Sequence, residues 1–446
     1  MDRSGLFPKA GCEQPRKSIL TKAAIAAACA GLVVRLALTI ISGNLPVSPF
    51  SGVRDQVRYQ TLADSLLQGD GLAYFGQPTA LRAPLYPIML AAFQLLFGSY
   101  YFAATRILQF LVGVVTAWVC FLIARALFGK EAGLVSFALC MVTPTLILCS
   151  LELQTEAVSA LLGASFLYFL ICELDGRRCA SAYLGITSGL SLLTRFNFLL
   201  LPLFGIAVSA WFRKSVKDAL IVGFLAGTIV APWIIRNLIV FHGSVVYSSH
   251  GGINLLEGIL TPEGRAIKEQ DERFRASVGW FHTEIEVNEP SRLRLGPEDQ
   301  LDRQARTAAV EAWRKMDLSS TLSLLKSKFG WFWLSLDQYG ETSSFSRSQR
   351  SIRRIGVLVY WVLLLLSAVG LLFLARFSRV RALLLSAYLL FITVAHLPFV
   401  MNTRLRIPFI DPLLAVLAAG ALVMMCRPIL GTDESGKYLE SSLQAK

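Results

Sequence analysis

Apolar residues run along this chain in long blocks, separated by short connections that are polar and mostly basic. A helix needs about 20 apolar residues to cross a bilayer. By that measure the blocks at roughly 23–42, 100–125, 132–150, 154–173, 179–194, 197–212, 219–240, 355–375, 382–400 and 407–426 predict about ten spans. The blocks at 179–194 and 197–212 are short and meet at Arg195, which leaves their boundary open. A further apolar stretch at 84–98 begins Pro84-Leu85-Tyr86-Pro87 and is short for a span, so it is expected to be interfacial or re-entrant. The expected fold class is an all-α integral membrane bundle, with interfacial helices and one long loop on one side.

After the first block the period of the pattern changes. Following Arg54-Asp55-Gln56-Val57-Arg58-Tyr59, apolar residues fall at Tyr59, Leu62, Ala63, Leu66 and Leu67. That is the spacing of one helix face, with Arg58, Gln60, Thr61, Asp64, Ser65 and Gln68 on the other. Gly69-Asp70-Gly71 ends the pattern, glycine being the easiest exit from a helix. A helix this short cannot span, so it is expected to lie in the membrane interface with its apolar face down and Asp55 at its N-terminus.

Composition supports the membrane reading. The chain has 446 residues, of which 54% are hydrophobic and only 16% charged, where a soluble domain carries about a quarter. The formal net charge of +13 does not form one patch, so nucleic acid is not an expected partner. Instead the basic residues cluster at the connections: Arg125 and Lys130; Arg177 and Arg178; Arg213, Lys214 and Lys217; Arg376, Arg379 and Arg381. With ten spans, and 84–98 not crossing, all of these fall on the side of the basic segment 1–22, and so does 427–446. Positive charge favours the cytoplasmic side, so both termini are expected there, with 43–99 and 242–353 as loops on the outer face of the inner cell membrane. The first block is full length and lacks a convincing cleavage site, so it reads as an uncleaved span. Eight scattered cysteines without a CxxC pair, and only four histidines, indicate neither a disulfide framework nor a metal site, and no cofactor is expected.

Polar groups collect at helix ends on the outer side. Glu152 and Glu156 share a face at i, i+4, and a carboxylate at a helix N-terminus can act or simply cap. Asp55 carries the same two readings. Arg404 and Arg406 flank Leu405 on the outer side, against the charge trend, where they would grip a phosphate or reach lipid headgroups. Arg35 lies inside the first block and needs an internal partner. In the Ser248–Asn254 turn, His250 reads as a solvated loop histidine.

The order of these features resembles a family. Asp55 stands in an Asp-x-x-x-Tyr pattern, followed by Gly69-Asp70-Gly71, Arg82-Ala83-Pro84-Leu85-Tyr86-Pro87 and Thr155-Glu156. Pro232-Trp233-Ile234-Ile235-Arg236-Asn237 precedes Gly251-Gly252-Ile253-Asn254, and Arg404-Leu405-Arg406-Ile407-Pro408 opens the last block. From about residue 23 to 426 this resembles the GT-C class of polytopic glycosyltransferases, near the bacterial protein-mannosyltransferase-like and lipid A aminoarabinose-transferase-like enzymes. The resemblance implies transfer of a sugar, inverting at the anomeric carbon, from a polyprenyl-phosphate donor to a hydroxyl of a glycan, lipid or protein. It places Asp55 and Glu156 in catalysis, and Arg58, Tyr59, Arg82, Tyr86, Arg236, Asn254, Arg404 and Arg406 in substrate binding. Relatives carry two adjacent acids in the first loop, whereas Asp55 is followed here by Gln56, so the division of roles with Glu156 stays open, as does any divalent metal requirement. The alternative from another class is a transporter or lipid-linked sugar flippase, which usually shows repeat symmetry that is not visible in this sequence.

Overall fold

The computed structural model describes residues 14–46, 55–74, 76–260, 298–334, 347–399, 401 and 403–426. The two terminal tails and much of the long loop therefore lie outside the described residues. The first helices are α1 (Gln14–Ser42), α2 (Asp55–Gln68), α3 (Leu85–Phe97), α4 (Tyr101–Phe128), α5 (Lys130–Val142) and α6 (Pro144–Cys149). Then come α7 (Glu156–Leu174), α8 (Ala180–Thr194), α9 (Leu201–Trp211), α10 (Val216–Val240), α11 (Gly251–Leu260) and α12 (Glu298–Lys315). The last are α13 (Leu318–Trp333), α14 (Arg347–Phe377), α15 (Arg379–His396), α16 (Thr403–Arg406) and α17 (Asp411–Cys426). Strands are limited, among the described residues, to a small hairpin of β1 (Ala73–Tyr74) and β2 (Gln77–Pro78).

Six helical stretches of the described residues are long and apolar enough to cross a membrane: Ile19–Ser42, Leu85–Phe128, Glu156–Leu174, Val216–Val240, Ile355–Phe377 and Arg379–His396. The other expected spans are shorter helices. The block at 132–150 breaks at Thr143-Pro144 into α5 and α6, and the block at 197–212 is a 3-10 turn followed by α9. α17 is buried almost from end to end, so its apolar surface packs on protein all round. α14 runs hard against it: a Cβ at Gly370 would come 2.0 Å from the Leu417 carbonyl.

α3 sits at one end of the bundle. Asn44, just past α1, accepts from Ala103 N–H and donates to Ser99 O at 2.6 Å, so the C-terminal end of α3 lies beside the end of α1. At its other end Tyr86 reaches Gln109, only two turns into α4. At 13 residues α3 is about 20 Å long, short of a ~30 Å hydrocarbon core.

Two distinct ends result. At one, Arg381 donates to the Ala126 carbonyl and to Asp175, and the Arg213 side chain lies against Gly176, which gathers the basic connections. At the other lie the segments 43–45, 150–156, 195–197, 241–249, 397–399 and 403–410. Arg35 is buried in α1 and donates to three carbonyls, Cys140, Met141 and Leu146, where α5 gives way to α6. Its internal partner is therefore backbone.

One expectation is corrected. The apolar face of α2 does not lie on a lipid surface: Tyr59, Leu62 and Ala63 are buried against protein, among Tyr86, Leu90 and Ala91 of α3 and Leu72, Tyr74 and Ala80 around the hairpin. Periodicity reports which face leaves water, and here another helix took the place assigned to the bilayer.

Candidate active site

The segment 150–156, between α6 and α7, is the hub of the end opposite the basic connections. A loop taken out of water must have its backbone groups satisfied, and here side chains do it. Gln109 of α4 donates to Ser150 O at 3.1 Å and Glu152 O at 2.6 Å while accepting from the Tyr86 hydroxyl at 2.6 Å. Arg106, one turn earlier, donates to Leu151 O at 3.0 Å and to Gly43 O and Leu45 O at 2.8 and 2.7 Å. Gln56 of α2 accepts from Leu153 N–H at 3.2 Å. The ends of α1, α2, α3 and α4 are thereby stitched to one loop.

Glu156 opens α7 from that loop and is 1% exposed. Its Oε1 accepts from Arg404 Nε at 2.9 Å and Nη2 at 2.7 Å. Arg195, in the turn after α8, places its Nη1 3.5 Å from the same oxygen. Gln154 accepts from Arg404 as well. One carboxylate thus faces two guanidiniums, whose side chains are 16% and 13% exposed and so open toward the end of the bundle. Glu156 Oε2 and Arg195 Nη1 are buried with no hydrogen-bond partner among the described residues. Buried Glu152 lies in the same loop, so two carboxylates stand near the two guanidiniums, and the cluster keeps unused hydrogen-bonding capacity.

The other expected site residues divide into two sets. Asp55 is the first residue of α2, and its side chain lies outside the described residues; its neighbour Gln56 is bonded to the 150–156 loop, which ties the start of α2 to that loop. Tyr59 and Tyr86 meet edge to face at 5.1 Å, with the Arg82 guanidinium 5.9 Å over the Tyr59 ring. Arg58 is half-buried, its carbonyl accepting from the Tyr74 hydroxyl at 3.4 Å. These residues share the end that holds Glu156 and Arg404.

The second set is placed elsewhere. Arg406 is fully buried, donating to Asp411 at 3.0 Å and Phe332 O at 2.9 Å, with its guanidinium 3.9 Å over Tyr360. Arg236 donates to Leu72 O and Thr79 O, both at 2.9 Å, and stacks on Trp233 and Phe241, which binds the hairpin to α10. Asn254 lies in the first turn of α11, where its N–H meets His250 O at 3.0 Å. The glycines of that motif serve packing: a Cβ at Gly252 would come 2.0 Å from Asp302 O of α12.

Sequence reasoning missed two groups here. Arg195 carried a signal, a charge where two short apolar blocks meet, but nothing local indicated its partner. Glu298 carried none. It accepts from Ala80 N–H at 2.9 Å and from the Ser249 hydroxyl, and burial pushes its carboxyl up to about 7 against the pull of Ala80 N–H, the Thr79 hydroxyl and Arg236. Among the described residues no group of three or more His, Cys, Asp or Glu could hold a metal ion, so none is assigned.

Comparison with known proteins places this architecture. Residues 81–236 match the family model described as dolichyl-phosphate-mannose-protein mannosyltransferase. The archaeal oligosaccharyltransferase AglB from Archaeoglobus fulgidus, in complex with an inhibitory peptide and a dolichol-phosphate, is similar over 90% of this chain and 50% of its own, at 15% identity and TM-score 0.51. The apo form of the Archaeoglobus fulgidus oligosaccharyltransferase is similar over 95% and 54%, at 13% identity and TM-score 0.53. The chain therefore spans about half the length of those structures. ArnT from Cupriavidus metallidurans bound to undecaprenyl phosphate aligns over 88% and 77%, at 14% identity and TM-score 0.40. No curated protein sequence matches the chain. The fold is that of the GT-C membrane transferases.

Proposed function

We propose that this chain is a GT-C-type glycosyltransferase that moves a sugar from a polyprenyl-phosphate carrier to a hydroxyl acceptor at the outer face of the cell membrane. The observation that carries the reading is the Glu156–Arg404–Arg195 cluster. A single carboxylate oxygen organises two guanidiniums at the bundle end, leaving them partly open. A phosphate monoester leaving group needs such a site, since guanidinium forks match its oxygens. Glu156 orients Arg404, and Arg404 with Arg195 meets the lipid phosphate. Asp55 takes the proton of the acceptor hydroxyl while its oxygen bonds to the anomeric carbon and the carbon–phosphate oxygen bond breaks. Inversion follows from that single displacement. The isoprenoid tail stays in the bilayer, and the acceptor is a glycan, lipid or protein.

The test is release of free undecaprenyl phosphate from radiolabelled undecaprenyl-phosphate sugars by purified protein in nanodiscs. Asp55→Asn is expected to slow release by ~10²–10⁴-fold, typical of a lost general base, with unchanged thermal unfolding, because Asn caps a helix as well as Asp. Near-normal release by that variant would return Asp55 to capping. Movement of intact lipid-linked sugar across vesicles, without cleavage, would favour the flippase reading instead.

A further inference from the structure

Arg404 lies in the connection between α15 and α17, and helices of the long loop grip that connection on both sides of it. On the near side stands Lys328 of α13, 1% exposed, its Nζ donating to Leu397 O at 2.6 Å and Phe399 O at 3.0 Å. These carbonyls end α15, where a helix has unsatisfied acceptors and negative dipole charge. α11 closes the opposite flank of the same turn: a Cβ at Gly258 would come 2.6 Å from Pro398 O. On the far side of Arg404, Arg406 donates to Phe332 O of α13, one turn beyond Lys328. Leu324, Lys328 and Phe332 are the buried stripe of α13, so one helix face holds the connection at both points. An ammonium is costly to bury, and a surface lysine would cap α15 more cheaply. Burial in fact brings Lys328 down to about 8.

We propose that Lys328 is a positioning residue for the lipid-phosphate site, fixing the 397–399 turn so that Arg404 stays on Glu156 and coupling α13 to donor binding. This rests on the reading of Arg404 as a phosphate ligand. The titratable and charged groups around Lys328 are His396 of α15, stacked on Phe332, Arg406 on the Phe332 carbonyl, and Tyr360 of α14, donating to Trp333 O. Glu257 stands next to Gly258 on α11, and Asp411 is engaged by Arg406.

The experiment is equilibrium binding of undecaprenyl phosphate to the purified full chain in nanodiscs. Lys328→Met keeps the volume of the side chain and removes its charge and donors; it is expected to weaken binding about tenfold, the scale of a lost charge-assisted hydrogen bond. Because Lys328 acts through Arg404, the double variant Lys328→Met, Arg404→Ala binds no more weakly than Arg404→Ala alone. Wild-type affinity in folded Lys328→Met, or losses that simply add, would overturn the proposal and leave Lys328 a structural cap. Unchanged affinity in Arg404→Ala would overturn the phosphate reading, and this inference with it. A second measurement is the pH dependence of that binding. Wild-type affinity should fall more steeply above pH 7.5 than that of Lys328→Met, as the ammonium loses its proton, and parallel profiles overturn the proposal.

Discussion

Arg404 and Arg406 are two residues apart on the one-turn helix α16, and residues at i, i+2 do not share a face. That alone sends them in different directions. Arg404 reaches Glu156 and Gln154 at the bundle end, and Arg406 turns inward to Asp411, Phe332 and Tyr360. The two substitutions should therefore fail differently. Arg406→Ala leaves Asp411 buried and unpaired and is expected to cost ~3–5 kcal/mol of stability, the scale for breaking a buried pair. Arg404→Ala should lower donor binding with a smaller loss of stability, since Arg195 still faces Glu156. Chemical unfolding in detergent, beside undecaprenyl phosphate binding, separates them. A stable Arg406→Ala that binds no donor would bring Arg406 back to the phosphate.

At the scale of elements, α12 docks on the first loop through one carboxyl. Glu298 rises from the ordinary 4.5 to about 7 through burial, so the folded protein holds this proton where the unfolded chain has lost it. Between pH 4.5 and 7 the folded state binds more protons, and stability falls as pH rises through that window. The contribution is fully present below about 4.5 and gone above about 7. Glu298→Gln keeps an acceptor for Ala80 N–H and the Ser249 hydroxyl without titrating. Its melting temperature should lack this part of the decline from pH 5 to 8 and should exceed that of the wild-type chain at pH 8. An identical pH profile in both proteins would show that the Glu298 proton does not govern docking. α2 gives the complementary lesson. Its boundaries and its apolar face were legible in the spacing, down to the exit at Gly69 and Gly71, both at positive φ. What that face touches was not, because an apolar stripe is the same stripe whether lipid or α3 covers it.

For the whole molecule, the separation of its two ends carries the topology. The basic connections meet where Arg381 bridges Ala126 and Asp175, while Glu156, Arg404 and Glu298 occupy the other end. Under the positive-inside rule the first end is expected in the cytoplasm and the proposed site outside. Cys179 is exposed at the basic end and Ser244 at the site end. In a background without other cysteines, a membrane-impermeant maleimide should label Ser244→Cys in intact cells and Cys179 only after the membrane is opened. The reverse pattern would invert the orientation and move the proposed site to the cytoplasm.

The sequence by itself determined the class of the molecule, because long apolar blocks with basic connections have few stable solutions other than a bundle of membrane helices. It also located the end where polar groups collect, and it set 84–98 apart as a short apolar stretch, whose two ends are tied to Asn44 and Gln109. It could not tell α1, with Val33, Ile40 and Ile41 exposed, from α17, which is buried nearly throughout, since lipid and protein interior demand the same apolar residues. The pairings within the site were decided by tertiary structure alone. Arg404 meets Glu156 across 248 residues and Glu298 meets Ala80 across 218. No local period encodes either pair, because each depends on how helices pack at one end of the bundle.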